Sequence, residues 1–174
     1  MKTVRVQKFS CCLLLLVCLL LPSGCGARGD ILKSPYEDVP DEIYSFMVNY
    51  METARDGYNK LVDKDYFPEE YQWARELSEQ SPQYVVDYEI ESAERVNKNL
   101  YAFILLVKTD DTRGKYERLA NFVGYIDGKL YRIANTHFIP ENMTAGLIEA
   151  KYAPENLTYE AEGKELFVAD YMLP

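Results

Sequence analysis

The sequence predicts an α+β domain in which two N-terminal helices pack on a curved antiparallel meander of four or more strands. Three observations point to it. Apolar residues recur at helical spacing from Ile43 to Val62. The period then switches to two over 84–91, as in a half-buried strand. Finally, Asp127-Gly128 sits between two alternating apolar runs, a strong hairpin signal that implies a type I′ turn.

Taken in chain order, the first element is not part of the fold. Lys2, Arg5 and Lys8 precede an apolar run over 9–21, which ends in Pro22-Ser23-Gly24-Cys25. A basic start, a short apolar stretch and small residues form a secretory signal peptide over 1–24. The run falls short of the roughly 20 residues that span a bilayer. A cysteine directly after Ser-Gly resembles the lipobox of bacterial lipoproteins, with Pro22 where that motif usually has leucine. The resemblance implies that Cys25 carries the lipid, becomes the mature N-terminus and holds the protein on the extracytoplasmic face of the cell membrane. The alternative is ordinary cleavage nearby, for instance after Ala27, which would release a secreted protein. All four cysteines (Cys11, Cys12, Cys18 and Cys25) lie at or before the cleavage point. Processing at Cys25 would leave the mature domain no cysteine nucleophile, disulfide or thiolate metal site.

Removing Lys2, Arg5 and Lys8 leaves 16 basic residues against 28 acidic ones, a formal balance of −12. Such a surface repels nucleic acid phosphates and anionic lipid headgroups, so membrane attachment falls to Cys25 and no nucleic acid partner is expected. The 15 tyrosines suit half-buried strand faces, having an apolar body and a polar tip.

Residues 25–40 read as the lipidated cysteine and a flexible tether. From Asp41, the residues Ile43, Phe46, Met47, Tyr50, Met51, Ala54, Tyr58, Leu61 and Val62 form one helical stripe, capped by Asp41 and weakened but unbroken at Gly57. A second helix is expected from Pro68 to about Gln80, with Pro82 marking its end. In the first strand Tyr84, Val86, Tyr88 and Ile90 alternate with Val85, Asp87, Glu89 and Glu91. Asn97-Lys98-Asn99 is a turn. The run over 100–107 is apolar on both faces, as in a covered central strand. A polar loop at 110–114 leads to strands over 116–126 and 129–138.

The hairpin fixes a register: Ile126 pairs with Lys129, Gly124 with Tyr131 and Phe122 with Ile133; counting on, Ala120 faces Asn135 and Arg118 faces His137. One face then carries Ala120, Phe122, Gly124, Ile126, Tyr131 and Ile133. The other carries Leu119, Asn121, Val123, Tyr125, Leu130, Arg132, Ala134 and Thr136. The Tyr131 ring is expected to lie over Gly124. Beyond Pro140, an irregular C-terminal extension (140–174) holds a helix over 141–152 and a short strand over 166–171.

Two helices followed by a meander ending in Val123-Gly124-Tyr125-Ile126-Asp127-Gly128-Lys129-Leu130-Tyr131-Arg132-Ile133 resemble the NTF2-like (cystatin-like) superfamily over 41–139. That resemblance implies a sheet curved into a cone whose open end can hold an apolar ligand. The superfamily includes isomerases, dehydratases and members without catalysis, so fold alone does not assign function.

His137 is the only histidine. In the extended register it neighbours Arg118 and Asn135, a trio that could bind a carboxylate or polarise a carbonyl; the plainer reading is a polar strand end. Asp87, Glu89, Glu91 and Glu94 form an acidic stripe, read as a solvated sheet face rather than a carboxylate pair across a cleft. No zinc motif, EF-hand spacing, phosphate-cradling loop or nucleophile elbow occurs, so no catalytic residue, metal or cofactor is assigned. The leading expectation is therefore a lipid-anchored module binding a protein partner or a small apolar ligand. The alternatives are an isomerase or hydratase working in the cone, and an immunity or assembly factor shielding a membrane-associated partner.

Overall fold

The computed structural model describes residues 31–64, 66–68, 76, 80, 84–133, 151–152, 157 and 163–166. Helix α1 (Asp41–Arg55) leads into a 3-10 helix (Tyr58–Lys64). Four strands follow: β1 (Val85–Asn97), β2 (Leu100–Thr109), β3 (Glu117–Ile126) and β4 (Lys129–Ile133). They form one antiparallel sheet in the order β1-β2-β3-β4, the meander read from the sequence. Of the helix expected over 68–80, only Pro68 and the helical Glu76 and Gln80 are described. Of the one over 141–152, only the helical Lys151 and Tyr152 are described. Cys25, Asn135 and His137 lie outside the described residues.

α1 begins one residue earlier than an Asp41 cap would require. Pro40 holds the cap position without a side-chain bond, and its carbonyl accepts the N–H groups of Ile43 (3.0 Å) and Tyr44 (3.1 Å). The Asp41 carboxylate instead accepts the Ser34 N–H at 2.8 Å, while Asp41 and Glu42 together suit the positive end of the helix dipole. The single long helix expected over 41–62 is a second departure. It stops at Arg55, and Gly57 takes φ +115°, a conformation that glycine adopts without steric cost. The chain resumes as a 3-10 helix that still buries Leu61 completely. The apolar stripe thus outlasts the helix that was expected to carry it.

Residues 32–39 have contacts of their own. The Leu32 N–H donates to Ser45 Oγ at 2.7 Å, and that hydroxyl donates back to the Leu32 carbonyl at 3.3 Å. Tyr36 lies 6.2 Å from the Tyr44 ring, and its hydroxyl donates to the Ile90 carbonyl at 2.7 Å. Val39 is buried in the core.

β2 is covered on both faces, as its composition requires. Tyr101, Phe103, Leu105 and Val107 join α1 in the larger core with Val123 of β3. Leu100 and Ala102 belong to a second core on the opposite face, with Phe122, Ile133 and Tyr152. The Phe122 and Tyr152 rings meet edge to face at 5.5 Å.

β1 has 13 residues against 10 in β2. Register shifts leave Val86, Glu91 and Val96 as extra residues, which accounts for the difference. Each such bulge bends the strand and increases its twist. The first one also reverses the expected faces at the strand's start. Val85 is buried, whereas Tyr84 and Val86 are exposed. Beyond it, Tyr88 and Ile90 return to the α1 side as expected.

The hairpin matches its expectation: Ile126 pairs with Lys129, Gly124 with Tyr131 and Phe122 with Ile133. Asp127 and Gly128 both have positive φ, 51° and 79°, as a type I′ turn requires. The space over Gly124, however, is not filled by Tyr131. A Cβ there would meet the Asn99 carbonyl at 3.0 Å and the Ile133 and Leu100 side chains at 3.1 and 3.2 Å. The Tyr131 ring instead lies 5.1 Å from the Lys129 ammonium.

Gly57→Ala should be costly, because a Cβ would sit 2.8 Å from Asn59 Oδ1 and 3.1 Å from the Tyr84 ring at a positive φ. The expected loss is about 2 kcal/mol, read as a lowered midpoint in chemical denaturation with an unchanged m-value.

Candidate functional site

The register places Asn121 and Arg132 on the α1 side of the sheet, in rows with Leu119, Val123, Tyr125 and Leu130. The Arg132 N–H donates to the Tyr66 carbonyl at 2.7 Å, so the chain at 66–67 runs beside the outer edge of β4. The guanidinium carbon lies 5.2 Å from the Tyr50 ring centroid and 5.7 Å from that of Phe67. Nη2 donates to Oδ1 of the buried Asn121. Nε is shut off from solvent and has no hydrogen-bond partner among the described residues. Among the described residues, no carboxylate forms an ion pair with Arg132.

The walls around this guanidinium are aromatic. Tyr66 meets Phe46 and Tyr50 edge to face, each at 5.3 Å, and Tyr50 meets Phe67 at 6.1 Å. The Tyr66 and Thr53 hydroxyls lie 3.1 Å apart. The Tyr58 phenol is pushed up to about 12, chiefly by burial and then by Tyr50. The Arg132 charge opposes that shift, while Glu117 and Asp110 add to it. Burial also raises the Glu117 carboxyl above its ordinary value.

This is an unusual place for a guanidinium. Arginine does not lose its proton in proteins, and a buried N–H without an acceptor costs about 1–3 kcal/mol. The aromatic faces attract the cation and Asn121 fixes its plane, but neither neutralises it. The arrangement therefore holds a positive charge between α1, the 66–67 segment and β4, with no ion-pair partner among the described residues.

Of the trio suggested by the sequence, only Arg118 is among the described residues. Arg118 lies on the sheet face away from α1, where Nε and Nη2 donate to Glu91 Oε2 at 2.7 and 2.5 Å. Its two proposed companions, Asn135 and His137, are outside the described residues. The acidic stripe is also more than a solvated face. Asp87 accepts the Tyr116 hydroxyl, Glu89 pairs with Lys164, Glu91 with Arg118, and Glu94 with both Lys151 and Tyr152. The Tyr116 N–H also donates to the Glu165 carbonyl at 3.1 Å, beside a parallel bridge between Tyr116 and Leu166. The stripe thus fastens 151–152 and 163–166 to the far side of the sheet.

Sequence reasoning passed over Arg132 and Asn121, although the register had already put both on an otherwise apolar face. A charged residue at such a position was the available signal. Among the described residues, no group of three His, Cys, Asp or Glu side chains could hold a metal, and no helix is long and apolar enough to cross a membrane. No protein-family model, curated protein or solved structure matches the chain.

Glu117 gives the site a pH signature. Its folded-state value is raised, so the stability it contributes is full below the ordinary glutamate range and is lost as pH rises through the raised value. Glu117→Gln should therefore melt a few degrees higher than wild type at pH 7, with the gain vanishing below about pH 4. Asp87 and Glu94 have the opposite sign. Asp87 is lowered chiefly by its Tyr116 bond; at Glu94, burial raises the value but the Lys151 and Tyr152 bonds outweigh it. Thermal melts across pH separate the two behaviours.

Proposed function

We propose that this chain is a lipoprotein held on the extracytoplasmic face of the cell membrane through Cys25, and that its NTF2-like α+β domain serves as a binding module. The ligand is a small molecule with an apolar body, received between α1 and the β3–β4 hairpin. The observation that carries the binding reading is Arg132, a guanidinium oriented by Asn121 among Tyr50, Phe67 and Tyr66 with one buried N–H unmatched. Aromatic walls with a few placed polar groups are the usual make-up of a small-molecule site.

The anchor reading rests on the lipobox-like Leu21-Pro22-Ser23-Gly24-Cys25. It also constrains the domain's position. Because Leu32 is already hydrogen-bonded to Ser45, only residues 25–31 remain as a spacer. Fully extended, they reach about 25 Å at most, so the domain works close to the bilayer.

A second reading, an isomerase or hydratase, draws on Glu117. A carboxyl raised by burial near an arginine is a recurrent feature of acid–base sites. No located partner group completes it, and the binding reading asks less of the residues present.

The anchor is tested in the bacterial membrane fraction. Wild-type protein should partition there and carry acyl chains on Cys25 by mass spectrometry. Cys25→Ala should move most of the protein out of that fraction. An unmodified Cys25, or a Cys25→Ala protein still in the membrane, would reject the anchor.

A further inference from the structure

We propose that Arg132 receives the carboxylate of a monoanionic organic acid, whose apolar body rests against the Tyr50 and Phe67 rings. This deepens the binding reading above and rests on it.

Three features of the guanidinium point to a carboxylate. Its position is held before any ligand arrives, by Asn121 at Nη2 and by the neighbouring rings of Tyr50 and Phe67. A planar fork held this way suits a two-oxygen acceptor better than a single hydroxyl. Its Nε is a buried donor without an acceptor, although the residue as a whole is only half-buried. A carboxylate that reaches the guanidinium would supply the missing oxygen. Finally, its charge is not offset by an ion pair among the described residues.

The same features argue against a phosphate. A phosphate monoester brings about −1.5 to −2 charges near neutral pH. The site offers one guanidinium, with Glu117 close enough to act on the same Tyr58 phenol as Arg132. A single negative charge balances Arg132, whereas a second would face Glu117 uncompensated. The aromatic walls further favour an acid with an apolar body over a small inorganic anion.

The test uses the full chain reconstituted in phosphatidylcholine nanodiscs, titrated calorimetrically with benzoate, benzyl alcohol and inorganic phosphate. Benzoate should bind about tenfold or more tightly than benzyl alcohol and more tightly than phosphate. It should also raise the melting temperature in proportion to its occupancy. Arg132→Gln should abolish the preference for benzoate over benzyl alcohol. Arg132→Lys, which keeps the charge but loses the planar fork, should weaken benzoate several-fold, and it serves as the test if the glutamine variant fails to fold. No benzoate binding at millimolar concentration overturns the proposal. So does phosphate binding more tightly than benzoate, or a preference that survives both substitutions. Equal binding of benzoate and benzyl alcohol overturns the carboxylate site while leaving a small-molecule module in place. Cys25 fractionation judges the anchor separately.

Discussion

Strand β2 has no solvent face, and the rest of the structure is arranged around that constraint. Tyr101, Phe103, Leu105 and Val107 point one way and Leu100 and Ala102 the other, all of them buried. A strand apolar on both sides must be flanked by neighbours and covered above and below. β1 and β3 flank it, α1 and the 3-10 helix cover one face, and Tyr152 contributes to covering the other. The cover on the α1 side closes through tyrosines whose hydroxyls reach helix carboxylates, Tyr125 to Glu42 and Tyr88 to Glu52. Tyrosine is used here because the ring extends the core while the hydroxyl finds an acceptor at its margin.

What could be read from the sequence follows how local its cause was. The β3–β4 register was legible because Asp127-Gly128 determines it within two residues, and the assignment of side chains to faces then follows from the pleat. The covered central strand was legible from its unbroken apolar run. Gly57 was misjudged because a glycine inside an apolar stripe does not reveal whether the backbone turns there. The turn is settled by long-range packing, with Tyr84 lying against the glycine. Val86 was placed on the wrong face for a similar reason. A bulge is a property of two paired strands of unequal length, and alternation within one strand cannot reveal it.

The acidic stripe shows the same limit at the level of electrostatics. Asp87, Glu89, Glu91 and Glu94 look like a solvated face when read along β1 alone. Their partners are Tyr116 just before β3, Arg118 within it, and Lys151, Tyr152 and Lys164, 57 to 75 positions further along the chain. Individually, exposed pairs of this kind contribute little. Together they set the position of the C-terminal residues on the second face, which exposes the central strand's covering to changes in carboxylate charge.

The candidate site stands apart from this pattern because, among the described residues, no carboxylate cancels its charge. On the other face of the sheet Arg118 meets a carboxylate, Glu91. At Arg132, on the α1 face, the hydrogen-bond partner is a neutral amide, Asn121, and among the described residues no carboxylate, Glu117 included, forms an ion pair with it. If the guanidinium served only to hold α1, the 66–67 segment and β4 together, an acid at position 121 would do so with a stronger, charge-assisted bond. An amide orients the cation without consuming its charge, and the desolvation cost of Arg132 remains to be offset by something that enters. The chain carries a formal charge of −9, yet Arg132 on the α1 face is held by a neutral partner. That asymmetry makes a carboxylate-bearing ligand the simplest complement to this face of the sheet.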